Sequence, residues 1–201
     1  MSDAPLEFYF DFNSPYGYVG AHLIDNIAER YDRTTDWYPI LLGVAFEQTG
    51  AKPLNEIPIK GEYLTKDAAR VCRYYGVTFK FPDIHPYSPT AASRAFYWVK
   101  DKDPGQAKGF AMALYKAALA DNEDISAPAS VARVGASVGL DQKDIMDALG
   151  DPVVKQRLIN ETNAAVAKGV FGSPFVIADG EPFWGVDRFE ILDEWLVTEG
   201  F

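Results

Sequence analysis

Ser14 is the residue whose type and setting point most directly to chemistry. It stands before Pro15, with Val19, Leu23 and Ile27 following at helical spacing, so it reads as an N-cap with proline in the first helical position. A helix start presents free N–H groups and the positive end of the macrodipole, and a group held there is stabilised as an anion. The same position also suits an ordinary capping serine. A second stretch, Gly172-Ser173-Pro174, leads into the apolar run Phe175 to Ala178. Other reactive side chains are few. His22 falls on the first helix and reads as a packing or solvated residue, while His85, followed by Pro86 in a loop, is a candidate to face a substrate. Two histidines argue against a histidine-rich metal site. Cys72, the one cysteine, lies between Val71 and Arg73 in a helix and reads as a buried structural thiol. A lone cysteine excludes an internal disulfide, a C-x-x-C pair and a thiolate zinc cage. Motifs for phosphate loops, dinucleotide folds, nucleophile elbows and zincins are absent.

These residues need a scaffold, and the two ends of the chain supply one. Leu6, Phe8, Phe10 and Phe12 alternate with Glu7, Tyr9 and Asp11, a period of two that predicts a strand over about 6–12. A helix from Ser14 to about Tyr31 and a second strand from Trp37 to Leu42 complete a βαβ opening. Near the other end, Phe175 to Ala178, the pair Asp179-Gly180 and Glu181 to Trp184 predict a hairpin, with Pro182 marking an edge strand. Asp187 and Glu190 have capping-box spacing before the stripe Phe189, Leu192, Trp195 and Leu196, which predicts a closing helix. In a βαβ–ββα sheet, the proline entering the third strand faces the first helix start. Between about Gly61 and Lys168, helix punctuation takes over. Asp103-Pro104, Ser126 and Asp151-Pro152 mark starts, and Gly76, Gly139, Gly150 and Gly169 mark stops, for about six helices. Linkers are expected at Thr49–Lys60 and Phe81–Pro89. The expected organisation is a sheet domain over 1–60 and 169–201, interrupted by an all-helical insertion over 61–168.

Composition narrows the partners. With 201 residues, 48% hydrophobic and 14% aromatic, there is ample material for a core. A net charge of −10, from 19 Lys and Arg against 29 Asp and Glu, argues against nucleic acid or an anionic membrane as partner. No run of eighteen apolar residues predicts a membrane span. The first ten residues suit neither a signal peptide nor a transit peptide, so a cytoplasmic location is expected.

Three stretches carry a family resemblance: Phe8-Tyr9-Phe10-Asp11-Phe12-Asn13-Ser14-Pro15-Tyr16, Gly169-Val170-Phe171-Gly172-Ser173-Pro174-Phe175, and Phe183-Trp184-Gly185-Val186-Asp187-Arg188. In their order and spacing, and with Tyr63 to Arg70 between them, they resemble the 2-hydroxychromene-2-carboxylate isomerases. Those enzymes share a thioredoxin-like fold with a helical insertion with kappa-class glutathione transferases and DsbA-type oxidoreductases. The resemblance implies an α/β, DsbA-like fold. It also implies a glutathione-dependent isomerase in aromatic catabolism, a small aromatic carboxylate as substrate, and a homodimer.

Site roles follow by the same resemblance. Ser14 stands where dithiol relatives carry their first cysteine, and its hydroxyl would contact the glutathione sulfur as a donor rather than a nucleophile. Lys60, in Pro58-Ile59-Lys60-Gly61, matches a lysine at the kappa-class glutathione site. Ser173 would offer its backbone to the cysteinyl amide beside a cis Pro174. The turn Trp184, Gly185, Val186 and Asp187 would hold the γ-glutamyl end, with the Asp187 carboxylate facing its ammonium. Lys60, and after it Lys52, are the candidate cations for carboxylates. His85, Tyr87 and Trp184 are candidates to line the substrate. Two positions depart from the pattern: Ala51, where kappa relatives carry asparagine, and Gly17, where many relatives carry serine or alanine, which removes a second hydroxyl from the helix start. A conjugating glutathione transferase and a non-catalytic thioredoxin-like interaction protein are the rival readings.

Overall fold

A computed structural model describes residues 3–201; residues 1 and 2 of the expected first domain lie outside the described residues. Strand β1, Leu6–Phe10, leads to helix α1, Pro15–Glu29, and to strand β2, Thr35–Pro39, which runs parallel to β1. Helices α2, Leu42–Thr49, α3, Lys60–Tyr74, α4, Thr90–Lys100, and α5, Pro104–Leu119, come next. Then follow α6, Pro128–Ser137, α7, Gln142–Gly150, and α8, Pro152–Ala167. Strands β3, Phe175–Ala178, and β4, Glu181–Trp184, form the antiparallel hairpin, and α9, Phe189–Thr198, closes the chain. The sheet order is β2-β1-β3-β4, with β3 antiparallel to β1. Pro182 therefore lies on an edge strand, where its missing N–H removes no central ladder bond.

The alternation in β1 separates two apolar layers. Leu6, Phe8 and Phe10 enter a cluster that also holds α1, α4, α5 and α6 side chains, whereas Tyr9 joins Ile40, Ala165, Val170, Phe175 and Ile177 on the opposite face. Phe10 meets Phe96 of α4 edge-on at 5.7 Å and Tyr115 of α5 at 5.7 Å. The sheet and the helical insertion thus share one continuous core, and it extends to the helix start that bears Ser14. Among the described residues, no helix is long and apolar enough to cross a membrane.

Several element boundaries differ from expectation, each for a contact distant in sequence. β1 stops at Phe10 because the Asp11 N–H leaves the ladder for Ser173 Oγ (3.0 Å), while the Asp11 carboxylate accepts from the Asn13 N–H (2.8 Å). β2 begins and ends earlier than 37–42, and α2 occupies residues taken for the end of that strand and the approach to a linker. The N-cap of α2 is Leu41, which has no capping atom; the Leu42 N–H is taken instead by Asp11 Oδ2 at 2.9 Å. Ser126, expected to mark a helix start, lies two residues before α6, whose N-cap is Ala127, and its hydroxyl accepts from the Ser88 N–H (3.1 Å). The capping box expected at Asp187 is corrected: a 3-10 turn, Val186–Arg188, precedes α9, whose N-cap Arg188 makes no side-chain bond.

Candidate functional site

Ser14 caps α1 as its sequence setting predicts. Its Oγ accepts from the Gly17 N–H at 2.9 Å and donates to the Ser173 carbonyl at 2.9 Å, so the helix start and the loop before β3 are joined through one hydroxyl. The Ser173–Pro174 bond is cis. Both serines are nearly buried, at 8% and 9% exposure. Among the described residues, the N–H groups of Tyr16 and Ser173 make no hydrogen bond. Each is a backbone donor left for an anion or a peptide-like group.

Asp11 ties this centre together. Its backbone carbonyl accepts from the Ser14 N–H (2.8 Å) and from the Tyr115 hydroxyl (2.9 Å), its N–H goes to Ser173 Oγ, and its carboxylate receives Asn13 and Leu42. Complete burial pushes the Asp11 carboxyl up to about 6, and the opposing hydrogen bonds from Leu42 and Asn13 do not cancel that effect. The Gly17 expectation needs correction: a second hydroxyl is present at the helix start, supplied by Ser173 and joined by that of Tyr115, because both oxygens lie where a side chain at 17 would project. Gly20 is required one turn further on, where a Cβ would come within 2.9 Å of the Pro174 ring.

The loop before α4 closes over the same point. The Asn13 side chain pairs with the Tyr87 backbone in both directions, Nδ2 to Tyr87 O at 2.8 Å and Tyr87 N to Oδ1 at 3.0 Å. The Tyr87 hydroxyl donates to the Phe12 carbonyl, and Tyr87 is 5% exposed. It packs as part of the wall rather than presenting its ring. His85 Nε2 lies 3.0 Å from the Asn13 carbonyl, which fixes the ring beside the helix start; its buried Nδ1 has no partner among the described residues. His22 is partly buried against Tyr18, and burial lowers its basicity. Cys72 is buried, and burial pushes its thiol up to about 11, so it holds its proton at neutral pH.

The outer candidates are mostly exposed, and among the described residues no hydrogen bond or ion pair joins Lys60, Lys52 or Asp187 to Ser14. Lys60 is the first residue of α3, where a cation opposes the positive end of the helix. It follows a γ-turn at Ile59, φ 71° and ψ −48°, closed by a 2.8 Å bond from Lys60 N to Pro58 O. That conformation is strained for a β-branched residue, and Ile59 is 85% exposed. Lys52 is exposed on the segment leading there. Neither lysine has an ion-pair partner among the described residues. Trp184 is 54% exposed, lies against Phe171 at 4.8 Å, and covers Gly172, where a Cβ would collide with its indole. Gly185 adopts φ 98°, Val186 is buried, and Asp187 is exposed beside Arg188 at 3.1 Å.

A βαβ opening, a ββα close and a cis proline facing the first helix start are joined here by an inserted helical bundle. The family described as the DSBA-like thioredoxin domain matches residues 5–197. The chain belongs to that family. The DSBA-like chain is 27% identical over 192 residues to the 2-hydroxychromene-2-carboxylate isomerase of Pseudomonas putida, covering 94% of this chain and 92% of that protein. It is 25% identical over 199 residues to human glutathione S-transferase kappa 1, covering 93% and 88%. A solved structure of 2-hydroxychromene-2-carboxylate isomerase superposes with a TM-score of 0.87 at 24% identity, covering 96% of this chain and 95% of that one, which carries the fold.

Ser14, Ser173 and Pro174 are thus brought together in the DSBA-like site, with His85 close to them through Asn13. Asp11, Asn13, Tyr115 and Phe171 were not singled out from sequence. Asn13 adjoins Ser14 and carries an amide suited to bridging two backbones, which is the one local signal that could have marked it. The partners of the others lie in distant segments.

Proposed function

We propose that the chain is a glutathione-dependent cis/trans isomerase acting on a small aromatic carboxylate of the 2-hydroxychromene-2-carboxylate type. The observation that carries this reading is a sulfur-stabilising helix start with no sulfur of its own: Ser14 stands at the N-cap, and Cys72 is a protonated, buried thiol. The residues present fit a peptide-like thiol bearing carboxylates, since the Ser173 and Tyr16 N–H groups are unpaired and Lys60 has no acidic partner among the described residues. Bound glutathione would supply a thiolate that adds to the conjugated alkene, permits rotation and leaves again.

The chain's own part is to hold that thiol deprotonated and oriented. The Ser14 hydroxyl turns its proton from the Ser173 carbonyl to the sulfur while its oxygen keeps the Gly17 contact. Hydrogen bonds to the charged form favour it. Ser173 pairs with the peptide backbone as a strand edge does. Lys60, with Lys52 behind it, receives carboxylates, Asp187 faces the ammonium from the Trp184-Gly185-Val186 turn, and His85 and Trp184 flank the aromatic substrate. The similarity to kappa-class transferases, at nearly the same identity as to the isomerases, favours conjugation as the second reading. Thiol titration separates the two. With a hydroxychromene carboxylate, free thiol after full conversion should equal that at the start and activity should vanish without glutathione. Stoichiometric thiol loss would instead assign the transferase reaction, and full activity without thiol would reject both.

A further inference from the structure

Gly17 stands three residues after Ser14, the spacing at which a C-x-x-C pair carries its second sulfur. A Cβ built there would lie 2.5 Å from Ser173 Oγ, 2.7 Å from Tyr115 Oη and 3.1 Å from Ser14 Cβ. Neither oxygen is the loose end of a flexible side chain. Ser173 Oγ is held by the Asp11 N–H at 3.0 Å. Tyr115 is fully buried, donates to the Asp11 carbonyl at 2.9 Å, and has its ring 5.0 Å from that of Phe12 and 5.3 Å from that of Tyr18. Close-packed interiors yield to such intrusions only by shifting backbone or forcing rotamers.

We propose that Ser173 and Tyr115 are specificity-determining residues: their hydroxyls fill the space that a second sulfur-bearing side chain at position 17 needs, and so confine the helix start to a single sulfur brought by a ligand. The ligand's identity rests on the glutathione reading, whereas the steric exclusion does not. The consequence is a division of reaction types within one fold. In a C-x-x-C relative a thiol at 17 attacks the mixed disulfide between a cysteine at 14 and a substrate sulfur, forming the 14–17 disulfide and expelling the substrate thiol. Here residue 14 is serine and the space at 17 is filled, so that exchange has neither its electrophile nor its attacking thiol, and a ligand thiol held at the helix start departs as the thiol it came as.

The test places thiols where the proposal tolerates only one. In a Cys72→Ala background, Ser14→Cys is compared with Ser14→Cys/Gly17→Cys, each with and without Ser173→Ala/Tyr115→Phe. Reduced chains are treated with oxidised glutathione and, in parallel, with bis(2-hydroxyethyl) disulfide, and released thiol and chain mass are read. A first protein thiol displaces one thiol from the reagent, forming a mixed disulfide. A second thiol within reach attacks the protein-side sulfur, closes an internal disulfide and releases the other half, so two protein thiols are oxidised as one reagent disulfide is reduced to two thiols. The double-thiol chain with Ser173 and Tyr115 intact should retain the adduct mass, and the chain lacking both hydroxyls should lose it and close. Closure with the hydroxyls intact, or none after their removal, overturns the proposal. Folding is checked with Gly17→Ala, which should lower the melting temperature by roughly 4–8 °C in the native background and by less than half as much with Ser173→Ala/Tyr115→Phe; equal losses also overturn it. An adduct with the hydroxyethyl reagent but none with oxidised glutathione would remove the glutathione reading and leave the steric result standing.

Discussion

Around Ser14, most polar atoms are held by residues distant in sequence. Asp11 alone joins the first strand to Ser173, Tyr115 and Leu42, and Asn13 fastens the loop at Tyr87. Around Lys60 the situation reverses: the lysines are exposed and unpaired among the described residues, Ile59 is held in a strained turn, and Lys60 works against its own helix. A group that must stabilise developing charge benefits from geometry fixed before the ligand arrives. A group that holds the remote end of a ligand contributes about equally to ground and transition states, so it can remain adaptable. The two regions therefore predict different responses to mutation, in rate at the helix start and in binding around Lys60.

The largest expected effect is that of Ser14→Ala. In the proposed reaction Ser14 donates to the ligand sulfur, and removing that donor should lower kcat on the order of 10²-fold. Losing the bond to the Gly17 N–H costs only a helix cap, about 1 kcal/mol or roughly 2–4 °C in melting temperature. Turnover measured with melting separates the two, and a near-native kcat with bound glutathione would show that the hydroxyl serves only the fold.

Next in size is the pH response of Asp11. Its folded-state pKa, about 6 against an ordinary 3.8, means that the folded chain retains this proton to higher pH than the unfolded chain does. The associated stability is fully present below about pH 4 and is lost as pH rises through 6. Relative to Asp11→Asn, the wild type should lose about 2 kcal/mol between pH 4 and pH 7. Taking the difference between the two chains removes the other carboxylates from the comparison. Parallel stability curves would mean that the Leu42 and Asn13 hydrogen bonds balance burial, and a wild type that gains stability over this range would mean that they outweigh it.

The same contrast explains what could be read from the sequence. Ser14, Pro15 and the hairpin follow local rules, and the expected N-caps Ser14, Asp103 and Asp151 are all found. Helix α2 was missed because its first N–H is satisfied by Asp11, 31 residues away, leaving no cap at Leu41 to recognise. The capping box at Asp187 failed because a 3-10 turn occupies those residues before the helix begins. Tyr115 is indistinguishable from any other core aromatic on α5 until the fold brings its hydroxyl to Asp11, 104 residues away. Ser14 was therefore legible, but the network that fixes it was not. Lys60 was singled out through its motif, and its place at the first position of α3 could not be read from that motif, while the strain at Ile59 has no signature in residue type.

The smallest expected effect tests the region around Lys60. Lys60→Ala should raise the glutathione KM by about 3- to 10-fold with little change in kcat, as expected for one exposed charge contact used equally throughout the reaction. The same change removes a cation from a helix N-terminus and places the best helix former there, so the melting temperature should rise by about 1–3 °C. Weaker binding with a more stable chain is a combination that a purely structural lysine would not give. Salt sharpens the point: raising ionic strength should increase the wild-type KM and leave the variant's nearly unchanged. Ile59→Gly relieves the strained turn while keeping the charge, so it should also raise the melting temperature, but with a smaller increase in KM because Lys60 remains and is only less firmly aimed. If Lys60→Ala leaves KM unchanged while Ile59→Gly raises it, the turn itself contacts the ligand, and the carboxylate is held by Lys52 or by backbone donors instead.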